Sequence, residues 1–145
     1  IILGSARFYA GILARQRDGL WGIEVTPSMG QDEYRGENAR NYLCALQAAA
    51  YSLRIGIQAA RRLRRVNGEA SHWGRMLADG IALPTLRDPR YGVYATCAGH
   101  PFEPEHQKHP VQLGPALFLP GAAPLDRPTQ RALQIRDRLA RSHRE

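Results

Sequence analysis

The sequence has few of the residues that mark several common classes of protein. It contains only two cysteines, Cys44 and Cys97, which excludes a disulfide-rich scaffold and a four-thiolate zinc site. No apolar run approaches the ~20 residues of a membrane-spanning helix, so no membrane association is predicted. Lysine occurs once, at Lys108, among 20 basic residues. Because arginine carries almost all of the positive charge, we interpret that charge as a compositional bias and predict no nucleic-acid partner.

The remaining composition is that of a globular chain, since 43% of its 145 residues are hydrophobic. Helical spacing predicts helices over 1–16, 38–65, 71–82, 111–119 and 129–142. The clearest stripe recurs at three and four residues and consists of Leu43, Leu46, Ala50, Leu53 and Ile57. Polar segments over 20–37 and 83–110 separate the helices, and no strand series or short repeat is visible. The sequence therefore predicts an all-α fold.

The first polar segment concentrates carboxylates beside an aromatic residue. Asp32, Glu33 and Glu37 lie within six residues, next to Tyr34. A carboxyl group can act as a general acid near neutral pH when neighbouring carboxylates and burial raise its pKa. The alternative is a solvated acidic turn that caps the following helix. Both interpretations remain open on composition alone.

The second polar segment combines histidine, glutamate and the single lysine. It contains His100, Glu103, Glu105, His106, Lys108 and His109. The spacing of the histidines matches no standard zinc signature, and neither cysteine is near enough in sequence to complete one. We therefore predict no metal and no other cofactor. The mixture of donors and acceptors suits a site that binds a polar ligand by hydrogen bonds.

The two polar segments and their flanks, taken together, resemble glycoside hydrolase family 65. The resemblance rests on five stretches in order: Ser5-Ala6-Arg7-Phe8-Tyr9, Gly30-Gln31-Asp32-Glu33-Tyr34, Asn38-Ala39-Arg40-Asn41-Tyr42, Gly92-Val93-Tyr94 with Gly99-His100, and Lys108-His109-Pro110-Val111-Gln112-Leu113. It covers roughly residues 4–120. The family includes disaccharide phosphorylases, acid trehalases and related glucosidases. Two replacements mark a distant member, because Gln31 and Arg35 stand where the family has proline and histidine.

The resemblance implies an (α/α)6 toroid, with the active site where loops meet at one end of the helices. About five helices are predicted here against the twelve of a toroid, so we expect 1–145 to be a fragment, the second half of one catalytic domain. The expected partners are the remainder of that domain, a carbohydrate substrate and, as a possibility, a second copy of the chain in a homodimer.

The resemblance also implies roles for individual residues. Glu33 would be the general acid, and Asp32 and Tyr34 would flank it at the substrate. Lys108 would hydrogen-bond a sugar hydroxyl, and His109 would take the neighbouring role, where the family has glutamine. Glu103 and Glu105 would be candidates for the base that activates water in an inverting hydrolase.

Two other functions remain open at the level of sequence. An inverting phosphorylase would use inorganic phosphate as the nucleophile and would need no base. A basic helical module would use the arginines of 54–65 to bind an acidic partner without catalysis. The slight preference for a hydrolase rests on Glu103 and Glu105, which lie just before Lys108.

Overall fold

The chain forms a mainly helical structure with two short antiparallel hairpins. The computed structural model describes residues 1–24, 39–64, 68–103, 111–117, 119 and 125–142, of which 62% are helical. The α-helices are α1 (Ile2–Ile12), α2 (Leu43–Arg62), α3 (Gly68–Asp79), α4 (Gly114–Leu117) and α5 (Arg127–Ser142). The strands are β1 (Ala14–Arg15), β2 (Trp21–Gly22), β3 (Arg87–Asp88) and β4 (Val93–Tyr94), and 3-10 turns cover Leu83–Leu86 and Val111–Leu113. A mainly helical fold agrees with the sequence prediction.

Helix α2 is the centre of the main core. The predicted stripe is confirmed for Leu43, Leu46 and Leu53, which are fully buried, and for Ala50, which is nearly so. Ile57, the last member of the stripe, is only partly buried and packs against the same core. Helices α1 and α3 both pack against α2. A smaller cluster of Val93, Phe102, Leu113 and Ala132 lies where α5 covers β4. Asp126 fastens α5 there, since its carboxylate accepts hydrogen bonds from Thr129 N at 3.0 Å and from the Tyr94 hydroxyl at 2.7 Å.

The first helix is shorter than its sequence pattern predicts. It ends at Ile12 rather than at residue 16, because Ala14 and Arg15 pair with Gly22 and Trp21 in a hairpin. Gly19 closes the turn with a φ of 84°, a conformation that glycine adopts readily. Pairing between the strands therefore replaces the last helical turn.

The third helix begins earlier than predicted. It starts at Gly68 rather than at residue 71, so Ser71, which the sequence suggests as the N-cap, lies inside the helix instead. Glu69 lies in the first turn, where a carboxylate suits the positive end of the helix dipole. Glu69 also accepts two hydrogen bonds from Arg7 of α1, at 2.8 and 2.9 Å. This exposed ion pair connects α1 to α3 at the point where α3 begins.

Candidate functional site

One buried asparagine, Asn41, joins the described residues that lie before and after 25–38. Asn41 is 2% exposed, and its side-chain oxygen accepts a hydrogen bond from Ile23 N at 2.9 Å. Its own backbone N donates to Ile23 O at 2.8 Å. Asn41 has a φ of 51°, a left-handed conformation that asparagine tolerates better than most residues do. The described residues on the two sides of 25–38 are therefore hydrogen-bonded to each other at Ile23 and Asn41.

A second amide strengthens this closure from the hairpin. Gln16 Nε2 donates to Asn41 Oδ1 at 3.1 Å, and Asn41 Nδ2 donates back to Gln16 Oε1 at 3.2 Å. Each amide thus gives and receives one hydrogen bond, which satisfies polar groups that would be costly to bury alone. The turn between β1 and β2 is therefore hydrogen-bonded, through Gln16, to Asn41.

The middle of the second polar segment lies beside the residues that follow the first. Ala98 N donates to Arg40 O at 2.9 Å, and Leu43 N donates to Thr96 O at 2.8 Å. Residues 96–98 therefore lie alongside residues 40–43, at the N-terminal end of α2. This pairing joins the flanks of two segments that are more than 50 residues apart in the sequence.

A buried aspartate fixes the backbone just before Glu103. The Asp88 carboxylate is 4% exposed and receives Arg90 Nη2 at 2.7 Å and Phe102 N at 3.1 Å. The hydrogen-bonded Arg90 guanidinium lowers the pKa of Asp88 to about 2. Phe102 is 3% exposed, whereas the following Glu103 is exposed. Asp88 therefore positions the chain from which Glu103 projects.

The described residues that follow the second polar segment pack against α2. Val111 joins the main core, and Gly114 lies next to the side chain of Gln47, one helical turn beyond Leu43. Gln112 Nε2 donates to Tyr94 O at 3.1 Å. The residues that follow Lys108 and His109 in sequence thus approach the same half of α2 as residues 96–98.

Two clefts include a member of the Arg40–Ala98 pair among their described lining residues. The first, here called the arginine cleft, has a volume of about 520 Å³, and its lining is Arg15, Gln16, Arg17, Asp18, Glu24 and Arg40. The second measures about 320 Å³ and is bounded by residues 85–90, 95 and 97–101, with His100 on one side and Cys97 in its wall. Burial raises the pKa of the Cys97 thiol, which disfavours the thiolate form.

The structure places only part of the predicted site. Of the predicted catalytic and substrate-binding residues, Glu103 is described and exposed. The others lie outside the described residues and are Asp32, Glu33, Tyr34, Glu105, Lys108 and His109. The described residues contain no group of three or more His, Cys, Asp or Glu side chains that could hold a metal ion. Within the same residues, no helix has the length and apolar character needed to cross a membrane.

Several polar residues of this region had no assigned role in the sequence analysis. Arg15 and Gln16 belong to the predicted helix over 1–16, and Arg17 follows its predicted end. Asp88 and Arg90 belong to the polar segment over 83–110. The Asp18-Gly19 turn was the available sequence signal for the hairpin, since this dipeptide favours tight hairpin turns. No signal in the sequence links Gln16 to Asn41, because the two amides meet only after the hairpin has formed.

No protein-family model, no curated protein and no solved structure matches this chain.

Proposed function

We propose that this chain belongs to the catalytic domain of an inverting glycoside hydrolase that acts on an α-linked glucoside, with Glu33 as the general acid. In this proposal the five helices form part of the second half of an (α/α)6 toroid. The observation that carries the proposal is the pairing of residues 40–43 with residues 96–98. It supports a shared site because it brings together the flanks of the two segments that carry the proposed catalytic carboxylates.

The proposed chemistry needs two carboxyl groups in different protonation states. Glu33 would donate its proton to the glycosidic oxygen as the bond breaks through an oxocarbenium-like transition state. Glu103 or Glu105 would accept a proton from the water that attacks the opposite face of the sugar. In inverting enzymes the two carboxyl groups are ~6.5–9.5 Å apart, which leaves room for that water. The exposed position of Glu103 is compatible with a base that must reach solvent.

The anchoring of both segments supports this assignment. A general acid contributes only if it is held within hydrogen-bond reach of the leaving oxygen. The Asn41–Ile23 hydrogen bond joins the described residues that flank 25–38, and the Asp88 carboxylate holds the backbone at Phe102. Substrate contacts from Asp32, Tyr34, Lys108 and His109 would complete the binding site between them.

The first prediction tests Glu33 in the protein that contains this domain. Glu33→Gln keeps the size of the side chain but cannot donate a proton, so turnover of an unactivated α-glucoside should fall ~10²–10⁴-fold. Hydrolysis of α-glucosyl fluoride should fall much less, because fluoride leaves with less help from a proton. Glu69→Gln is the matched control, since Glu69 is a carboxylate on α3 that pairs with Arg7. Full activity of Glu33→Gln on the unactivated glucoside contradicts the proposal.

The same assay separates hydrolysis from phosphorolysis. If water is the nucleophile, either Glu103→Gln or Glu105→Gln should abolish turnover even with the fluoride substrate, because activated water is still required. If phosphate is the nucleophile, both variants should remain active and turnover should depend on added phosphate. Phosphate-dependent turnover would therefore replace the hydrolase with the disaccharide phosphorylase.

A further inference from the structure

Helix α5 carries a concentrated positive charge. It contains five arginines and one aspartate, which give it a formal charge of +4. Four exposed arginines and one exposed glutamine of α5 recur at alternating steps of four and three residues. They are Arg127, Arg131, Gln134, Arg138 and Arg141. This spacing places them in one line along the side of the helix, ~21 Å long, which we call the arginine row.

The high arginine content of the chain does not by itself explain this row. The other exposed positions of α5 hold no arginine and are Gln130, Leu133, Asp137, Ala140 and Ser142. The fifth arginine, Arg136, is partly buried and lies outside the row. A general excess of arginine would be expected at any exposed position, whereas here the exposed arginines occupy one side of the helix.

A different side of α5 anchors the helix to the rest of the molecule. Thr129 and Ala132 are buried, and Ala132 belongs to the small apolar cluster with Val93 and Phe102. The helix is therefore fixed through this side while the arginine row faces solvent. A surface on an anchored helix loses little conformational freedom when it binds, which favours association.

The hydrogen bonds in the middle of the arginine row go to neutral acceptors. Arg131 Nε donates to Tyr91 O at 3.4 Å, and Arg131 Nη1 donates to Gln134 Oε1 at 3.3 Å. Arg138 Nε donates to Gln134 O at 3.4 Å. These contacts hold the two guanidinium groups along the helix without neutralising their charge.

The single carboxylate of α5 lies beside one end of the row. Asp137 accepts a hydrogen bond from Arg141 Nη2 at 2.7 Å, and both side chains are mostly exposed. Arg127 and Arg131 are instead four residues apart, a spacing at which like charges disfavour a helix. The row therefore combines an excess of positive charge with internal repulsion, which an acidic partner would relieve.

We propose that the arginine row docks an acidic α-helix of a separate protein, with glutamate or aspartate at the same steps of four and three residues. Two helices that pack side by side meet along a line with this spacing, and opposite charges beside that line select the partner. The inference goes beyond the proposed glycosidase activity and does not rest on it.

Two features favour a helix of another protein over other occupants. Asp137, next to Arg141, would repel the phosphates of a nucleic acid, whereas an acidic helix can place a neutral residue opposite it. The row is also polar along its whole length, while contacts that complete a permanent core are mainly apolar. A separate acidic protein therefore fits this surface better than a missing helix of the same domain.

Fluorescence anisotropy with three labelled probes and the 145-residue chain tests the inference. The line peptide is an alanine-rich helix of about 21 residues with glutamates at steps of four and three. The scattered peptide has the same composition, but its glutamates lie on all sides of the helix. The third probe is a DNA duplex of similar length. At ~0.1 M salt the line peptide should bind most tightly, and its binding should weaken at ~1 M salt because exposed charges are screened.

Variants of the chain identify the surface that binds. The double variant Arg131→Gln/Arg138→Gln should weaken binding of the line peptide about fivefold or more. Arg131→Lys/Arg138→Lys should lose less, because it keeps the charge. Arg61→Gln/Arg62→Gln is the matched control and should bind as the original chain does, since it removes two exposed arginines from the last turn of α2.

Three results would overturn the inference. Equal binding of the line and scattered peptides would mean that charge alone, without the spacing, attracts the probe. Tighter binding of the DNA duplex than of the line peptide would make α5 a nucleic-acid surface instead. An equal loss in the α2 control would show that the arginine row is not the binding surface. The comparison of the two peptides uses the original chain and is therefore independent of how well any variant folds.

Discussion

Asp88 holds the backbone just before Glu103 through a direct hydrogen bond to Phe102. Its carboxylate receives a side-chain fork from Arg90 and a backbone donor from Phe102, while only 4% of its surface is exposed. Arg141 and Asp137 on α5 form an ion pair with the same 2.7 Å separation, but both side chains are more than half exposed. Because the two ion pairs have the same separation, a difference between their contributions to stability reflects burial and not distance.

The second prediction concerns the loss of the Asp88 charge. Asp88→Asn should lower the free energy of unfolding at pH 7 by about 2 kcal/mol, because it weakens charged hydrogen bonds in a buried position. The folded pKa of about 2 lies below the unfolded value of about 3.9, so this stability is present at neutral pH and is lost as the pH falls. The difference between the two proteins should therefore shrink between about pH 4 and pH 2.

Urea unfolding at pH 7, 4 and 2.5 measures this dependence. Asp137→Asn is the control and should change the free energy of unfolding by less than about 1 kcal/mol, as exposed pairs contribute little. An equal loss in both variants, or a difference that is as large at pH 2.5 as at pH 7, would refute the role assigned to Asp88.

At the scale of elements, the contact between α1 and α2 depends on the absence of a side chain. A Cβ built on Gly56 would lie 2.5 Å from the Cβ of Ala6 and 3.1 Å from the Trp73 ring. Ala6 is fully buried and Trp73 is 3% exposed, so neither can move away easily. Gly74 on α3 is also inside a helix, but a Cβ there would meet nothing within 4 Å.

The third prediction compares these two glycines. Gly56→Ala should destabilise the protein by about 1–3 kcal/mol, because α1 must shift to admit the methyl group. Gly74→Ala should stabilise it by roughly 0.5–1 kcal/mol, since alanine has the higher helix propensity. Thermal unfolding followed by circular dichroism gives both values. Stabilisation by both substitutions would mean that α1 and α2 do not approach so closely.

At the scale of the whole molecule, α1 leaves an apolar face uncovered. Ala6 on the opposite side is buried, whereas Ile1, Phe8 and Ile12 are 112%, 61% and 39% exposed. These side chains recur at helical spacing and form one stripe. The proposed toroid accounts for this stripe by placing another helix against it, since exposed apolar patches commonly mark contact surfaces.

The fourth prediction follows from that stripe. The 145-residue chain should bind an apolar fluorescent dye such as ANS, and Phe8→Ser should reduce the fluorescence clearly. Leu133→Ser is the control and should have little effect, because Leu133 is an exposed apolar residue on α5, outside the stripe. Native secondary structure in both variants, checked by circular dichroism, would confirm that the fold is retained. Equal fluorescence in the original chain and in Phe8→Ser would argue against a continuous apolar face.

The sequence by itself determined the mainly helical character of the chain and the buried face of α2. Leu43, Leu46 and Leu53 recur at the helical period, and that local pattern suffices to predict which side of the helix is buried. It also indicated the two polar segments as candidates for function, although most of their predicted site residues lie outside the described residues. Their assigned roles remain predictions that the proposed variants test.

Only the tertiary structure decided how those segments are anchored. The hairpin that ends α1, the Gln16–Asn41 amide pair and the Asp88–Phe102 hydrogen bond each join residues at least six positions apart. Their energies depend on burial and on partners that meet only in the folded chain, so no local propensity encodes them. The same reason explains the arginine cleft, because Arg17 and Arg40 line one cleft only after the hairpin has formed.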